Sequence, residues 1–340
     1  MSDEAGLPVH IVTGFLGAGK TTFINGLLKD PALAGALIVV NEFGDIGLDH
    51  WLYEKIADDV VLIASGCLCC SLRGDLVDAL NGLLMRRDRG ALPPFSRIII
   101  ETSGLADPAP ILHALIADAY LARRLRLKGV TTLIDAVNGA ATLEAHPEAR
   151  RQLALADLVV VSKRDLVADA EPLIVKLGAL NPAARILADA SASDFLAESF
   201  AGPVETRASA MSAHGVAARS FSFAHDAPIS DSALALFFAR LHTLLGPCLL
   251  RVKGVVAMAS APDRPLVIQG AQHLLHPPQR LAAWPTDDRR SRLVVIVDGI
   301  APAEIESLWG ALIGLPEIDR PDLTALVDNP LAPRSGGLLG

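Results

Sequence analysis

Apolar residues fall in short unbroken runs through the first two-thirds of the chain. The runs are Val9–Val12, Leu37–Val40, Val60–Ile63, Arg97–Ile100, Val130–Ile134, Leu158–Val161 and Arg185–Leu187. They are continuous rather than alternating, as expected of strands covered on both faces. Between them, Lys20–Lys29, Leu72–Arg86 and Glu171–Leu180 carry apolar residues at helical spacing. This rhythm predicts an α/β fold, a doubly wound, mostly parallel sheet. It breaks at Ala201–Ala218, a stretch of small residues with Gly202, Pro203 and Gly215. Strand patterns at Ser220–Phe223, Leu249–Ala259, Pro265–Gln269 and Leu293–Val297 follow, with helices at Ser230–Leu245 and Ala303–Leu312. They predict a smaller α+β domain with an antiparallel sheet. The expected division is a first domain at 1–205, a linker at 206–219, a second domain at 220–325 and a Pro/Gly-rich, flexible tail at 326–340.

Composition narrows the function classes. Half of the 340 residues are hydrophobic, so a sizeable core is available. A net charge of −8 gives no reason to expect nucleic-acid binding. The basic clusters Arg123–Lys128 and Arg289–Arg292 are short and read as solvated faces or local ion pairs. No apolar run reaches the roughly 18–20 residues of a membrane span, and M-S-D-E-A-G lacks a signal-peptide pattern, so a cytoplasmic protein is expected. A reducing compartment disfavours structural disulfides.

The first strand pattern runs into G-F-L-G-A-G-K-T, Gly14 to Thr21, which fits G-x-x-x-x-G-K-S/T between a strand and a helix. Gly14, Gly17 and Gly19 allow backbone N–H groups to turn toward an anion. The following helix adds its positive N-terminal end. Lys20 is placed to reach the β- and γ-phosphates and Thr21 to ligate Mg²⁺; Ala18 and Thr22 complete the phosphate-facing positions. The run Arg97–Ile100 ends in E-T-S-G. Glu101 stands where a carboxylate polarises the water of the bound Mg²⁺, and the Gly104 N–H where it senses the γ-phosphate. Lys20, Thr21 and Glu101 are the candidate catalytic set.

After Leu158–Val161 comes S-K-R-D. It approximates N-K-x-D, in which the aspartate accepts two hydrogen bonds from guanine. Asp165 takes that role, and adenine would leave the carboxylate unpaired. The stem of Lys163 can cover the base face. Ser162 stands in the Asn position and lacks the amide that would brace base and loop. GTP and GDP are therefore the expected nucleotides.

N-E-F-G-D-I-G-L-D follows the second strand pattern; its Glu42, Asp45 and Asp49 on a Gly-punctuated loop suit a switch segment at the ligand-binding edge of the sheet. Three of the chain's four cysteines, Cys67, Cys69 and Cys70, form C-x-C-C after the next strand pattern. Three thiolates suit a soft or borderline ion such as Zn²⁺ or Cu⁺. Zn²⁺ asks for a fourth ligand or a water, with Glu42 the first choice and His113 and Asp118 behind it. An incomplete site suits a metal that must leave again. Cys248, alone in an apolar context, reads as structural.

Together G-F-L-G-A-G-K-T-T, N-E-F-G, G-C-L-C-C, E-T-S-G-L-A-D-P and S-K-R-D resemble the CobW-like P-loop GTPases, considered metallochaperones. R-V-K-G, I-Q-G and R-S-R-L-V resemble that family's second domain, so the likeness spans nearly the whole chain. The resemblance implies GTP hydrolysis with Mg²⁺, binding of zinc, or next cobalt, at Cys67, Cys69 and Cys70, and delivery to a client metalloprotein; a homo-oligomer is compatible with it. A cobalt-handling role in cobalamin synthesis is the nearest alternative. The family's frequent His-rich tract is missing here. Other readings of the same residues are a small-molecule kinase, a redox-sensing nucleotide switch and a metal buffer that does not hydrolyse GTP.

Overall fold

Two sheets, each covered on both faces, organise the chain. The computed structural model describes residues 6–41, 63–64, 74–197, 218–245, 248–271, 274–275 and 278–314. Glu42, Asp45, Asp49, Cys67, Cys69 and Cys70 lie outside the described residues, as do positions 206–217 of the expected linker, 315–325 of the second domain and the tail.

The first unit contains β1 (Leu7–Gly14), α1 (Lys20–Leu27), β2 (Ala36–Asn41), β3 (Ile63–Ala64), α2 (Gly74–Asp88), β4 (Arg97–Thr102), α3 (Ala109–Ala117) and α4 (Leu121–Arg124). It continues through β5 (Leu125–Asp135), α5 (Gly139–Ala145), α6 (Pro147–Leu155), β6 (Leu158–Ser162), α7 (Glu171–Leu180), β7 (Arg185–Leu187) and α8 (Ala192–Leu196). The strands form one seven-stranded sheet in the order β3-β2-β4-β1-β5-β6-β7, and each described pairing is parallel. Side chains alternate across a strand, so neighbours in β1 serve opposite faces. Val9 and Ile11 join Leu37, Ile98 and Ile100 under α2 and α3, while Val12 joins Ile38, Ile99 and Val160 under α1 and α8. Two-sided burial explains the unbroken apolar runs.

The second unit contains β8 (Ala218–His225), α9 (Asp231–Leu245), β9 (Leu249–Met258), β10 (Ala261–Ala271), β11 (Leu274–Leu275), β12 (Gln279–Arg280), β13 (Ser291–Asp298) and α10 (Pro302–Leu312). Its antiparallel sheet runs β11-β10-β9-β13-β8, with β12 paired to β10. One face, with Val252, Val256, Leu293 and Val295, packs on Phe237, Leu241, Ile305 and Leu308 of α9 and α10. On the other, Leu250, Val294 and Ile296 meet Ala154 of α6 and Ala183 of the first unit. All ten residues of β9 are buried as a result.

That second face is charged at its centre. Asp157, just before β6, accepts hydrogen bonds from Arg251 Nη2, from Lys253 Nζ at 2.6 Å and from the Val130 N–H at 2.8 Å. Arg251 also donates to Leu155 O at the C-terminal end of α6. Burial alone would raise the Asp157 pKa, but Arg251 and Lys253 outweigh it and hold the carboxyl at about 2. R-V-K-G is thus the seam between the two units.

The structure refines the sequence expectation at the two basic clusters. Strand β5 begins at Leu125, five residues ahead of Val130, while Arg124 at the end of α4 pairs with Asp88 at 2.8 Å, an ion pair of the kind expected for this stretch. In Arg289–Arg292, Arg289 pairs with Asp263, and Arg290 and Arg292 pair with Asp288, the expected local ion pairs, although Arg292 is buried. No helix among the described residues is long and apolar enough to cross a membrane.

Candidate functional site

The C-terminal ends of β1, β4, β5, β6 and β7 converge, and the predicted nucleotide residues gather there. Gly14 closes β1, and Gly17 and Gly19 take φ of 72° and 88°, values natural to glycine. Gly19 is the N-cap of α1, which has neither a side-chain cap nor an acidic residue in its first turn. The loop therefore presents backbone N–H groups and a helix N-terminus, a combination suited to phosphate. Lys20 is buried, and its Nζ donates to Gly14 O at 2.9 Å and Phe15 O at 3.3 Å, so the ammonium lies folded over the loop.

Thr21 Oγ1 donates to Glu101 Oε1 at 2.9 Å across 80 positions of sequence. Glu101 is buried near the end of β4, in register with Val12 of β1 and Val40 of β2. Two hard oxygen donors held this close suit a small divalent cation such as Mg²⁺, which prefers a few protein oxygens and keeps waters. Next along, Thr102 Oγ1 donates to Thr13 Oγ1 at 2.7 Å, tying β4 to β1. Gly104 leaves no room for a side chain. A Cβ there would lie 2.6 Å from Leu16 Cδ2, 2.7 Å from Leu16 N and 2.8 Å from Leu16 Cα. The E-T-S-G turn thus rests directly on the phosphate loop.

Around the other side of α1 opens a cleft of about 960 Å³, lined by Gly19, Thr22, Phe23, Ser162, Lys163, Asp165 and the segment Ala188–Ala192. Its size is that of a small-molecule site. Ser162 Oγ donates to Ala18 O at 2.7 Å. The brace to the loop expected to be missing without Asn is therefore supplied by a hydroxyl. Lys163 takes φ of 56°, the one non-glycine residue at positive φ among those described. Such a conformation is uncommon outside glycine, asparagine and aspartate. Its Nζ pairs with Asp135 Oδ2 at 2.6 Å, which holds it there. Burial pushes the Asp135 carboxyl up, but hydrogen bonds from Lys163, the Val137 N–H and Asn138 more than offset this and leave it below the ordinary range.

Sequence reasoning missed Asp135, the Ala188–Ala192 lining and Gln152, whose amide reaches Gly104 O and Ala106 O. Asp135 and Ala188 both directly follow apolar strand runs at the same sheet edge, and that position was their signal. Gln152, in mid-helix, has none. Among the weaker metal candidates, Asp118 Oδ1 accepts from the Tyr120 and Leu121 N–H groups at 3.0 and 2.8 Å, a turn-capping use. Among the described residues no three His, Cys, Asp or Glu side chains cluster to hold a metal. The C-x-C-C segment follows β3, which pairs in parallel with β2.

Comparison with known proteins matches both units. A CobW/HypB/UreG nucleotide-binding domain family model covers residues 8–188, and a cobalamin synthesis protein CobW C-terminal domain model covers 218–313. The zinc chaperone YjiA of Escherichia coli is 29% identical over 321 residues, covering 91% of this chain and 98% of that protein. A zinc chaperone CobW of Pseudomonas aeruginosa is 35% identical over 204 residues, covering 51% of this chain and 52% of that protein. The crystal structure of the Zn(II)-bound YjiA GTPase from E. coli is similar with a TM-score of 0.67 at 25% identity, covering 91% of this chain and 99% of that one.

Proposed function

This chain belongs to the CobW/HypB/UreG nucleotide-binding family, and from that premise we propose that it is a GTP-hydrolysing carrier that binds zinc at Cys67, Cys69 and Cys70 and passes it to a client metalloprotein. The observation that carries the nucleotide part is the meeting of the phosphate loop, the Thr21–Glu101 pair and the Asp165 cleft around α1. In this reading residues 1–205 form the nucleotide unit and 220–325 the second domain.

The residues divide the work as follows. Gly14, Gly17, Ala18, Gly19 and Thr22 wrap the phosphates, and Lys20 swings from the Gly14 and Phe15 carbonyls to the β- and γ-phosphate oxygens. Thr21, and Glu101 through water, would hold Mg²⁺, which would supply neutralisation of the charge that develops on the phosphates. Gly104 offers its N–H to the γ-phosphate. Asp165 accepts from guanine, Lys163 covers the base, and Ser162 keeps the base segment tied to Ala18. Water attacks the γ-phosphorus, the bond to the β-phosphate oxygen breaks, and GDP and phosphate leave.

Zinc is cargo. The relatives named zinc chaperones favour it over cobalt, and the ligand chemistry agrees, since thiolates favour Zn²⁺ over Co²⁺. Glu42 is proposed as a further ligand. N-E-F-G and C-x-C-C follow the neighbouring strands β2 and β3, so loss of the γ-phosphate can alter the metal site. A tenfold affinity change requires only about 1.4 kcal/mol of differential stabilisation. The test is competitive titration with Zn²⁺, Co²⁺ and Ni²⁺ in GTP and in GDP, on wild type and Cys69→Ala, alongside phosphate release. Zinc affinity that depends on both nucleotide and Cys69, with measurable phosphate release, supports the proposal. Affinity indifferent to both sinks the carrier reading, and absence of phosphate release sinks the hydrolase reading.

A further inference from the structure

Gln152 lies on α6, outside every sequence motif, and is fully buried. Its Nε2 donates to Gly104 O at 3.1 Å and Ala106 O at 3.0 Å, the carbonyl of the last residue of E-T-S-G and one two positions beyond it. Its Oε1 is buried with no hydrogen-bond partner. An amide kept for packing would be better replaced by an apolar side chain, because a buried unpaired acceptor is unfavourable. This amide is used through its donors alone, and both point at one turn. The helix that carries it is itself held in place. Thr132 Oγ1 of β5 donates to Gln152 O at 2.9 Å, and Arg251 of the second unit donates to Leu155 O one turn further on.

We propose that Gln152 is a positioning residue for GTP hydrolysis, fixing the Gly104–Ala106 turn so that the Gly104 N–H faces the γ-phosphate. This rests on the GTPase reading above. Gly104 packs so closely on Leu16 that the turn has little room to adjust by itself. Two hydrogen bonds from a helix anchored to β5 set the orientation of the peptides after Gly104. GDP, which lacks the γ-phosphate, makes no use of that orientation. The effect therefore falls on turnover and not on nucleotide binding.

The experiment compares wild type with Gln152→Met and Gln152→Glu, both close in length to glutamine. Gln152→Met removes the donors. Gln152→Glu keeps the shape and, when ionised, sets a carboxylate against two carbonyls. The expected result is a kcat lowered by about 30-fold in Gln152→Met, from two lost buried hydrogen bonds, with GDP affinity and KM changed by no more than about threefold, and a larger kcat loss in Gln152→Glu. A merely structural role would lower the folded fraction and leave kcat per folded molecule intact, and that result, or a wild-type kcat in both variants, overturns the proposal. Hydrogen exchange on the wild-type protein is the second measurement, informative even where a variant fails to fold. Joint added protection of the Gly104–Ala106 amides and of α6 with a non-hydrolysable GTP analogue over GDP is expected; protection of the turn without α6 overturns the proposal. Wild-type protein that releases no phosphate would refute the GTPase reading itself, a failure separate from this one.

Discussion

Replacing Asp157 by alanine removes the carboxylate that Arg251 and Lys253 share across the seam between the two units. The side chains involved are nearly dry, at 8% and 2% exposure for the two cations and 9% for the acid. Loss of the acid leaves two cations buried without it, and breaking a buried pair this way costs about 3–5 kcal/mol. The Val130 N–H loses its partner in the same step. With an unfolding entropy of ~2.1 cal/mol/K per residue, a 340-residue chain gives about 0.7 kcal/mol/K, so a loss of about 4 kcal/mol lowers Tm by about 6 °C if the chain unfolds as one unit. Calorimetry at neutral pH measures this directly. The triple variant Asp157→Ala, Arg251→Met, Lys253→Met should recover most of the loss, because an apolar replacement of the whole cluster is often neutral. The wild-type acid limb is a second readout. The folded Asp157 pKa of about 2 lies below the ordinary carboxylate value. Its contribution, about 2 kcal/mol, is therefore complete above pH ~4 and lost as pH falls toward 2. A variant Tm within about 1 °C of wild type would refute the reasoning, since it would mean that the cluster is wet in solution.

Three further outcomes are expected. Burial, with Arg97 and Lys128 nearby, lowers the His10 pKa from 6.5 to about 4, so the folded protein holds it neutral. Stability should fall by about 3 kcal/mol between pH 6.5 and 4 as the unfolded state takes up the proton; urea midpoints across that range check it, and His10→Phe, which keeps the stack on Phe195, should flatten the slope. Gly104→Ala forces a Cβ against the Leu16 backbone, so turnover should drop at least about tenfold while GDP binding persists, as expected when an interaction specific to the transition state is lost. Single-turnover and titration data would separate the two. Ser162→Ala removes the hydrogen bond to Ala18 O; GTP affinity should weaken by about 1 kcal/mol, roughly fivefold, and an unchanged Kd by calorimetry would show that this brace has no part in binding.

Much of the candidate site was legible before the fold was known, because its chemistry is local. A phosphate loop needs glycines, a lysine and a hydroxyl at fixed spacing, so G-F-L-G-A-G-K-T announces itself. Asp165 and Glu101 were readable because each stands at or just beyond the end of an unbroken apolar run, where a parallel sheet presents its ligand-binding edge. The swap of Asn for Ser162 was read as a lost brace, since nothing in the sequence shows that Ala18 O lies 2.7 Å from the hydroxyl.

The sequence by itself determined the element rhythm, the two-unit division of patterns and the candidate residues whose chemistry suits phosphate, guanine and a soft metal. These follow from periodicity and residue chemistry, which act over a few positions. Tertiary structure alone decided which distant residues meet: Thr21 with Glu101, Gln152 with Gly104, Lys163 with Asp135, and Asp157 with Arg251 and Lys253. Each pairing spans 28 or more positions and depends on strand order and helix placement, because hydrogen bonds and charges act over a few ångströms of space and leave no period in the chain.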